Sequence, residues 1–248
     1  MDNFNLYDRS TNKEKSDRSE LLSLFQNTPL PENELLTNLG LFIKRHEWSR
    51  YLFMNELYKK SMSVHGVVME FGTRWGQNLA LFSSLRGVYE PFNHNRRIIG
   101  FDSFEGFPSV HEKDGLNKIK GSYSVSRGYE EYLERLLAYH ESESPIPHIK
   151  KFELIKGDVI ETLDGYLTAH PETIIALAYF DMDIYAPTKH CLERIKPFIT
   201  KGTVLGFDEL NYPAYPGETV ALREALGLQN IRIEHLSFAP STSFVVIE

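Results

Sequence analysis

From Ile174 to Phe180 the chain reads Ile-Ile-Ala-Leu-Ala-Tyr-Phe, an unbroken apolar run. It is far shorter than the roughly 20 residues that span a bilayer. A strand with one face in water would alternate apolar and polar residues, whereas one covered on both faces reads as continuously apolar. The run therefore predicts a central strand of a mostly parallel sheet with helices on both sides. Thr203–Phe207 repeats the pattern, and Val67–Phe71, Arg97–Phe101 and Phe152–Lys156 supply further strands. Helical patterns follow Gly76 and cover residues 129–139, 188–195 and 219–226. This alternation is that of an α/β fold. The chain ends in an expected hairpin, 231–235 and 243–247, closed by Ala239, Pro240 and Ser241.

The N-terminal side differs. Residues 1–28 are polar and weakly patterned and read as a loosely docked arm or lid. Between Pro31 and Met62, apolar residues at helical spacing predict two helices packing on the domain or on a partner subunit. The expected organisation is an N-terminal arm and helical segment over residues 1–62 and a catalytic domain over 63–248. Residues 108–126, rich in Gly and Ser, read as a loop able to close over a site.

A net charge of -7 counts against a nucleic-acid surface, which needs clustered Lys and Arg. The single cysteine, Cys191, offers no internal disulfide and no zinc spacing, and the charged first twenty residues lack a signal-peptide core. A cytoplasmic protein without nucleic-acid or membrane partners is expected. The nine histidines, His111 and His148 among them, show no metal-ligand spacing.

The chemistry gathers where strands end. Glu70-Phe71-Gly72-Thr73-Arg74-Trp75-Gly76-Gln77-Asn78 carries a strand into a glycine turn and then a helix, and glycines let a backbone approach a ligand closely. The second strand ends at Asp102-Ser103, where a carboxylate can accept from both hydroxyls of a ribose. The third ends at Gly157-Asp158, where an acid can accept from an adenine amino group. Glu70, Gly72, Thr73, Arg74, Trp75, Gly76, Asn78, Asp102, Ser103, Gly157 and Asp158 thus outline an adenosine site. Each acid equally fits the cap of the helix that follows it. The dinucleotide fingerprint G-x-G-x-x-G is absent, and Asp102 follows Glu70 by 32 residues rather than about 20.

Two further strand ends are acidic: Asp181-Met182-Asp183 and Asp208-Glu209. If their strands are neighbours the ends lie about 5 Å apart. Asp181, Asp208 and Glu209 would then repel one another unless protonated or bound to a cation, and oxygen ligands favour a hard ion such as magnesium. Together the glycine loop, the segment Phe101-Asp102-Ser103-Phe104-Glu105-Gly106-Phe107-Pro108 and the acids Asp181 and Asp208-Glu209 resemble the macrocin O-methyltransferase family, which includes the mycinamicin and novobiocin sugar-tailoring enzymes. The resemblance runs over about residues 35–248.

It implies a Rossmann-like class I methyltransferase fold, a seven-stranded mostly parallel sheet with an antiparallel last strand. It also implies S-adenosylmethionine as donor, Mg2+-dependent O-methylation, and often a sugar hydroxyl as acceptor. By the same analogy Asp181 is a metal ligand and a candidate base, and Asp208 and Glu209 complete the coordination. Family members usually carry Asp-Asp where this chain has Asp208-Glu209.

Methyl transfer needs an aligned oxygen and a proton acceptor, and a metal that binds the hydroxyl lowers its pKa. Vicinal diols of sugars or catechols suit such a site. Asp183, two residues beyond Asp181, is an alternative base. Tyr185, Tyr212 and Tyr215 are candidate walls for a small-molecule sugar or sugar-nucleotide substrate, with Trp75 and Tyr123 as further candidates or core residues. The apolar N-terminal helices and the resemblance point to a homo-oligomer. Two rival readings stand beside this one: a nicotinamide-dependent sugar-nucleotide oxidoreductase using Asp102, and a non-catalytic binding module on the same fold.

Overall fold

The structure, a computed structural model, describes residues 10–115 and 118–248. The chain divides between Arg50 and Tyr51 into two compact units. The first contains α1 (Asn12–Gln26), α2 (Glu32–Leu35), a 3-10 turn at Leu39–Leu41 and the start of α3 (Arg45–Ser61). Within the weakly patterned arm, Asn12–Gln26 is helical. Thr11 and Glu14 form a capping box, in which the Glu14 carboxylate accepts from Thr11 N (2.7 Å) and Thr11 Oγ1 from Glu14 N (3.3 Å). That satisfies two of the backbone donors a helix start leaves open. No residue of α1 is buried, so it carries no apolar stripe to betray it. Residues 1–9 lie outside the described residues. The two helices expected between Pro31 and Met62 are one long helix, α3, preceded by a four-residue helix and a 3-10 turn.

The second unit holds a seven-stranded sheet of β1 (Val67–Phe71), β2 (Ile98–Asp102), β3 (Phe152–Lys156), β4 (Ile175–Phe180), β5 (Ile199–Phe207), β6 (Ile233–Leu236) and β7 (Ala239–Val246), in the order β3-β2-β1-β4-β5-β7-β6. The first five strands run parallel, and β7 pairs antiparallel with β5 and β6. This is the seven-stranded, mostly parallel sheet implied by the sequence. The hairpin closes differently from expectation: Leu236 pairs with Ala239, so the turn is Ser237-Phe238, and Ala239, Pro240 and Ser241 belong to β7.

One face is covered by α4 (Gln77–Tyr89), α5 (Tyr129–Ser142) and the second half of α3, whose Phe53, Leu57 and Tyr58 pack with Val68, Phe82, Leu133 and Leu177. On the other lie α6 (Val159–Ala169), α7 (Tyr185–Ile195) and α8 (Pro216–Leu226), with Leu163, Leu192 and Leu222 against Met69, Ile99 and Leu205. Ala176–Phe180 are all fully buried, as the two-sided strand requires. The parallel register puts Phe101, Phe71, Phe180 and Phe207 in one row across four strands. Their rings contact in series, with centroids 5.3, 5.1 and 5.1 Å apart. The next residue on each strand is Asp102, Gly72, Asp181 or Asp208. No helix among the described residues is long and apolar enough to cross a membrane.

Two buried charge clusters pin the first face. Arg96 donates to the carbonyls of Gly66, Ser61 and Val64 and to Glu90, which also accepts from Tyr58. Glu141 accepts from Arg86 (3.0 Å) and from Lys151 N (2.9 Å), and also pairs with the Lys151 ammonium, tying α4, α5 and β3 together. Removing Glu141 strands two buried cations, a change that costs about 3–5 kcal/mol. Chemical denaturation of Glu141→Ala should show a loss of that size. Lys13→Ala, which breaks an exposed pair with Asp17, should cause no measurable change.

Candidate active site

The sheet register decides what can meet at its carboxyl edge. Phe71 pairs with Phe101 on one side and Phe180 on the other, so the glycine turn after β1 lies between Asp102 and Asp181. Gly72 (φ +94°) passes so close to β4 that a Cβ would stand 2.0 Å from the Asp181 carbonyl oxygen. At Gly76 (φ +77°), the left-handed cap of α4, a Cβ would strike Leu133 at 2.3 Å. Glu70, buried at the end of β1, accepts from Asn78 Nδ2 at 2.7 Å, which ties strand to helix under the turn. Asp102 accepts from Arg74 N at 2.7 Å and from Phe104 N at 2.5 Å. Burial pushes its carboxyl up, and those N–H groups and the Arg74 charge pull it back.

Several other residues expected around the donor have partners within the protein. Ser103 Oγ donates to Gly106 O (2.8 Å), closing the turn after β2. Asp158 accepts from Ile160 N (3.0 Å) and caps α6, the plainer of its two expected roles. Gly157 has φ +142°. Trp75 is exposed, packing edge-on to Tyr129 with centroids 4.7 Å apart. Thr73 is buried. A cavity of about 300 Å³ is lined by Phe104, Glu105, residues 124–128, Glu130 and Lys156.

The second half of the site is acidic. Asp208 N donates to Phe180 O (3.1 Å) and Asp181 N to Phe71 O (2.9 Å), so the two acids extend the sheet side by side. Tyr179 donates to Asp208 Oδ1 at 2.6 Å. Asp183, buried and left-handed (φ +62°), is hydrogen-bonded to Glu209. Burial, that bond and the neighbouring charges of Asp183, Asp208 and Asp181 push the Glu209 carboxyl up to about 12. Glu218, which the sequence presents only as a helix first-turn residue, is fully buried beneath them. Its Oε2 accepts from Glu209 N at 3.0 Å, and burial drives its carboxyl well up.

Tyr123 and Tyr215 roof the acids with their hydroxyls 2.8 Å apart, joining the loop after β2 to the loop after β5. Tyr123 is also hydrogen-bonded to Asp183. Tyr212 stacks on Tyr215 at 5.7 Å, and the Lys118 ammonium lies over the Tyr215 ring, facing Asp183 and Glu209.

Tyr185 is not part of this wall. Its hydroxyl donates to Glu224 (2.6 Å), which also receives Lys113 (2.6 Å) and Lys189 (2.9 Å), and its N–H donates to buried Asp114. These bonds clamp residues 111–115 onto α7 and α8 and hold the Glu224 carboxyl down at about 2. Tyr185, expected as a substrate wall, here anchors the insertion loop.

Among the described residues no group of three or more His, Cys, Asp or Glu is placed so that it could hold a metal ion. The donor set nevertheless fits a hard divalent cation. All its ligands are carboxyl oxygens, and Glu209 Oε2 is buried without a hydrogen-bond partner.

No protein-family model matches the chain, and no curated protein matches it. Solved structures do. The chain superimposes on the crystal structure of CalS11, calicheamicin methyltransferase, with TM-score 0.93 and 42% identity over 99% of this chain and 98% of that one. It matches apo CalS11, described as TDP-rhamnose 3'-O-methyltransferase of calicheamicin biosynthesis, with TM-score 0.86 and 40% identity over 96% of each chain. The O-methyltransferase NovP shares the fold at TM-score 0.61 and 19% identity, over 80% of this chain and 79% of that one.

The glycine turn tolerates no side chain. Gly72→Ala should lower the unfolding free energy by on the order of 3 kcal/mol, from a strained φ plus overpacking. Gly165→Ala, inside α6 with nothing within 4 Å of its new Cβ, should be neutral or stabilising. Urea unfolding of both variants checks the contrast.

Proposed function

This chain belongs to the macrocin-type family of class I, S-adenosylmethionine-dependent O-methyltransferases, together with CalS11, and from that premise we propose that it methylates a hydroxyl of a nucleotide-linked sugar with the help of a divalent cation. Family membership displaces the nicotinamide reading. The observation that carries the proposal is the pairing of Phe180 with Phe207, which sets Asp181 and Asp208 side by side next to the glycine turn. The whole-length likeness to a TDP-rhamnose methyltransferase supports the acceptor class.

In this reading the turn Gly72–Gly76 and Asp102 seat the donor, with Asp102 on its ribose. Asp181, Asp208 and Glu209 would hold the cation, most simply Mg2+, which would lower the pKa of the acceptor hydroxyl when bound. Asp183, buried beside Glu209 and in reach of the Tyr123 hydroxyl, is the favoured proton acceptor, and Glu209 would be one of the carboxylates that hold the cation. The acceptor oxygen then takes the methyl group as the carbon–sulfur bond breaks, its proton passes to Asp183, and S-adenosylhomocysteine remains. Tyr123 orients Asp183, and Tyr215 and Tyr212 offer an aromatic wall to the sugar ring. Alignment of the oxygen with the methyl carbon supplies several kcal/mol of the barrier reduction.

The test is release of S-adenosylhomocysteine with TDP-rhamnose as acceptor. Asp181→Asn and Asp208→Asn should each reduce turnover by about 100-fold or more, the scale of losing one electrostatic stabiliser, while binding S-adenosylhomocysteine nearly as the parent does. Asp102→Ala should instead weaken that binding, and EDTA should stop turnover until Mg2+ is restored. Parental turnover in either Asn variant, or full activity in EDTA, would overturn the cation assignment.

A further inference from the structure

Arg74 is a cation whose nearest carboxylate, Asp102, takes its backbone N–H and not its guanidinium. It sits in the glycine turn with φ +47°, a conformation that non-glycine residues seldom adopt. Its backbone N–H is fixed on Asp102 Oδ2, so the residue starts beside the ribose position. From there the side chain runs toward the acids. The guanidinium carbon lies 4.8 Å from the ring centre of Tyr123, which is itself bonded to Asp183, and 5.9 Å from that of Trp75. Its Nε is buried and has no hydrogen-bond partner. The half-buried guanidinium makes no hydrogen bond or ion pair with any described residue, in a chain of net charge -7 whose fully buried arginines, Arg86 and Arg96, are engaged.

A buried guanidinium nitrogen left unpaired costs free energy, and the planar fork is built to receive a carboxylate. On the reading that Asp102 takes the ribose, the path from Asp102 to Asp181 and Asp183 is the path of the donor's methionyl arm. That arm carries one anion, its α-carboxylate. We propose that the Arg74 guanidinium binds the α-carboxylate of the donor, and that Tyr123 and Trp75 hold it in place by cation–π contact until the donor arrives. The assignment rests on the methyltransferase reading and makes Arg74 the residue that separates donors with this carboxylate from analogues without it.

Calorimetry on the full-length protein tests it with two probes: S-adenosylhomocysteine, and S-adenosyl-3-thiopropylamine, which lacks only the carboxylate. Arg74→Gln should weaken the first by roughly 10- to 100-fold, the scale of a charge-assisted hydrogen-bond pair, and leave the second unchanged. Arg74→Lys should recover part of the difference. Retained binding of the second probe also reports an intact fold. Equal weakening of both probes would show that Arg74 only shapes the turn, and no weakening of either would place the carboxylate elsewhere. Unchanged probe binding with a raised KM for TDP-rhamnose would assign the guanidinium to the acceptor's phosphates. The last three results each overturn the proposal. Failure of the unmodified protein to bind S-adenosylhomocysteine at all would instead overturn the methyltransferase reading beneath it.

Discussion

Four phenyl rings set the geometry on which the site depends. Phe101, Phe71, Phe180 and Phe207 occupy one row of the parallel sheet and touch in sequence across it. Each such contact contributes about 0.5–1.5 kcal/mol beyond simple burial. Their larger effect is on register, because a one-residue slip would turn every side chain of a strand to the opposite face. With the rings locked on the α6–α8 side, the following residues must emerge together at the carboxyl edge. Asp102, Gly72, Asp181 and Asp208 therefore form a second row. Asp102, the backbone gap at Gly72 and two of the acids are positioned by one hydrophobic layer beneath them.

That layer offsets an unfavourable surface. Asp181, Asp183, Asp208, Glu209 and Glu218 crowd one end of an apolar sheet, and burial drives Asp183, Glu209 and Glu218 toward their protonated forms. The backbone is strained in the same region, with positive φ at Arg74, Phe104, Tyr123, Asp183 and Asn211, all in loops at the carboxyl edge. Such strain persists only where the surroundings over-determine it. Here the surroundings are the phenyl row, the Asn78–Glu70 bond and the clamp of Lys113, Lys189 and Tyr185 on Glu224.

Much of this was legible in the residues alone. Continuous apolar runs can only be strands covered on both faces, and an acid or glycine directly after each run marks the edge where parallel strands end. The helix Asn12–Gln26 also had a visible signal, the Thr11/Glu14 box, but its absence of an apolar stripe concealed it. Other features depend on tertiary placement. Tyr185 follows an acidic strand end as a substrate residue would, yet Asp114 and Glu224, far away in sequence, turn it outward. Tyr123, Lys118 and Glu218 reach the acids from loops or a helix start whose paths no local pattern encodes. The orphaned Nε of Arg74 becomes visible only when its neighbours are counted.

The proposal that the two rows would bring Asp181, Asp208 and Glu209 to one cation beside the donor is the one to test. Anomalous diffraction from crystals grown with S-adenosylhomocysteine and soaked in Mn2+ addresses it directly. The account predicts a single peak coordinated by those three carboxylates, with Glu209 turned away from Asp183. A map with no peak there, and Glu209 still bonded to Asp183, would contradict it.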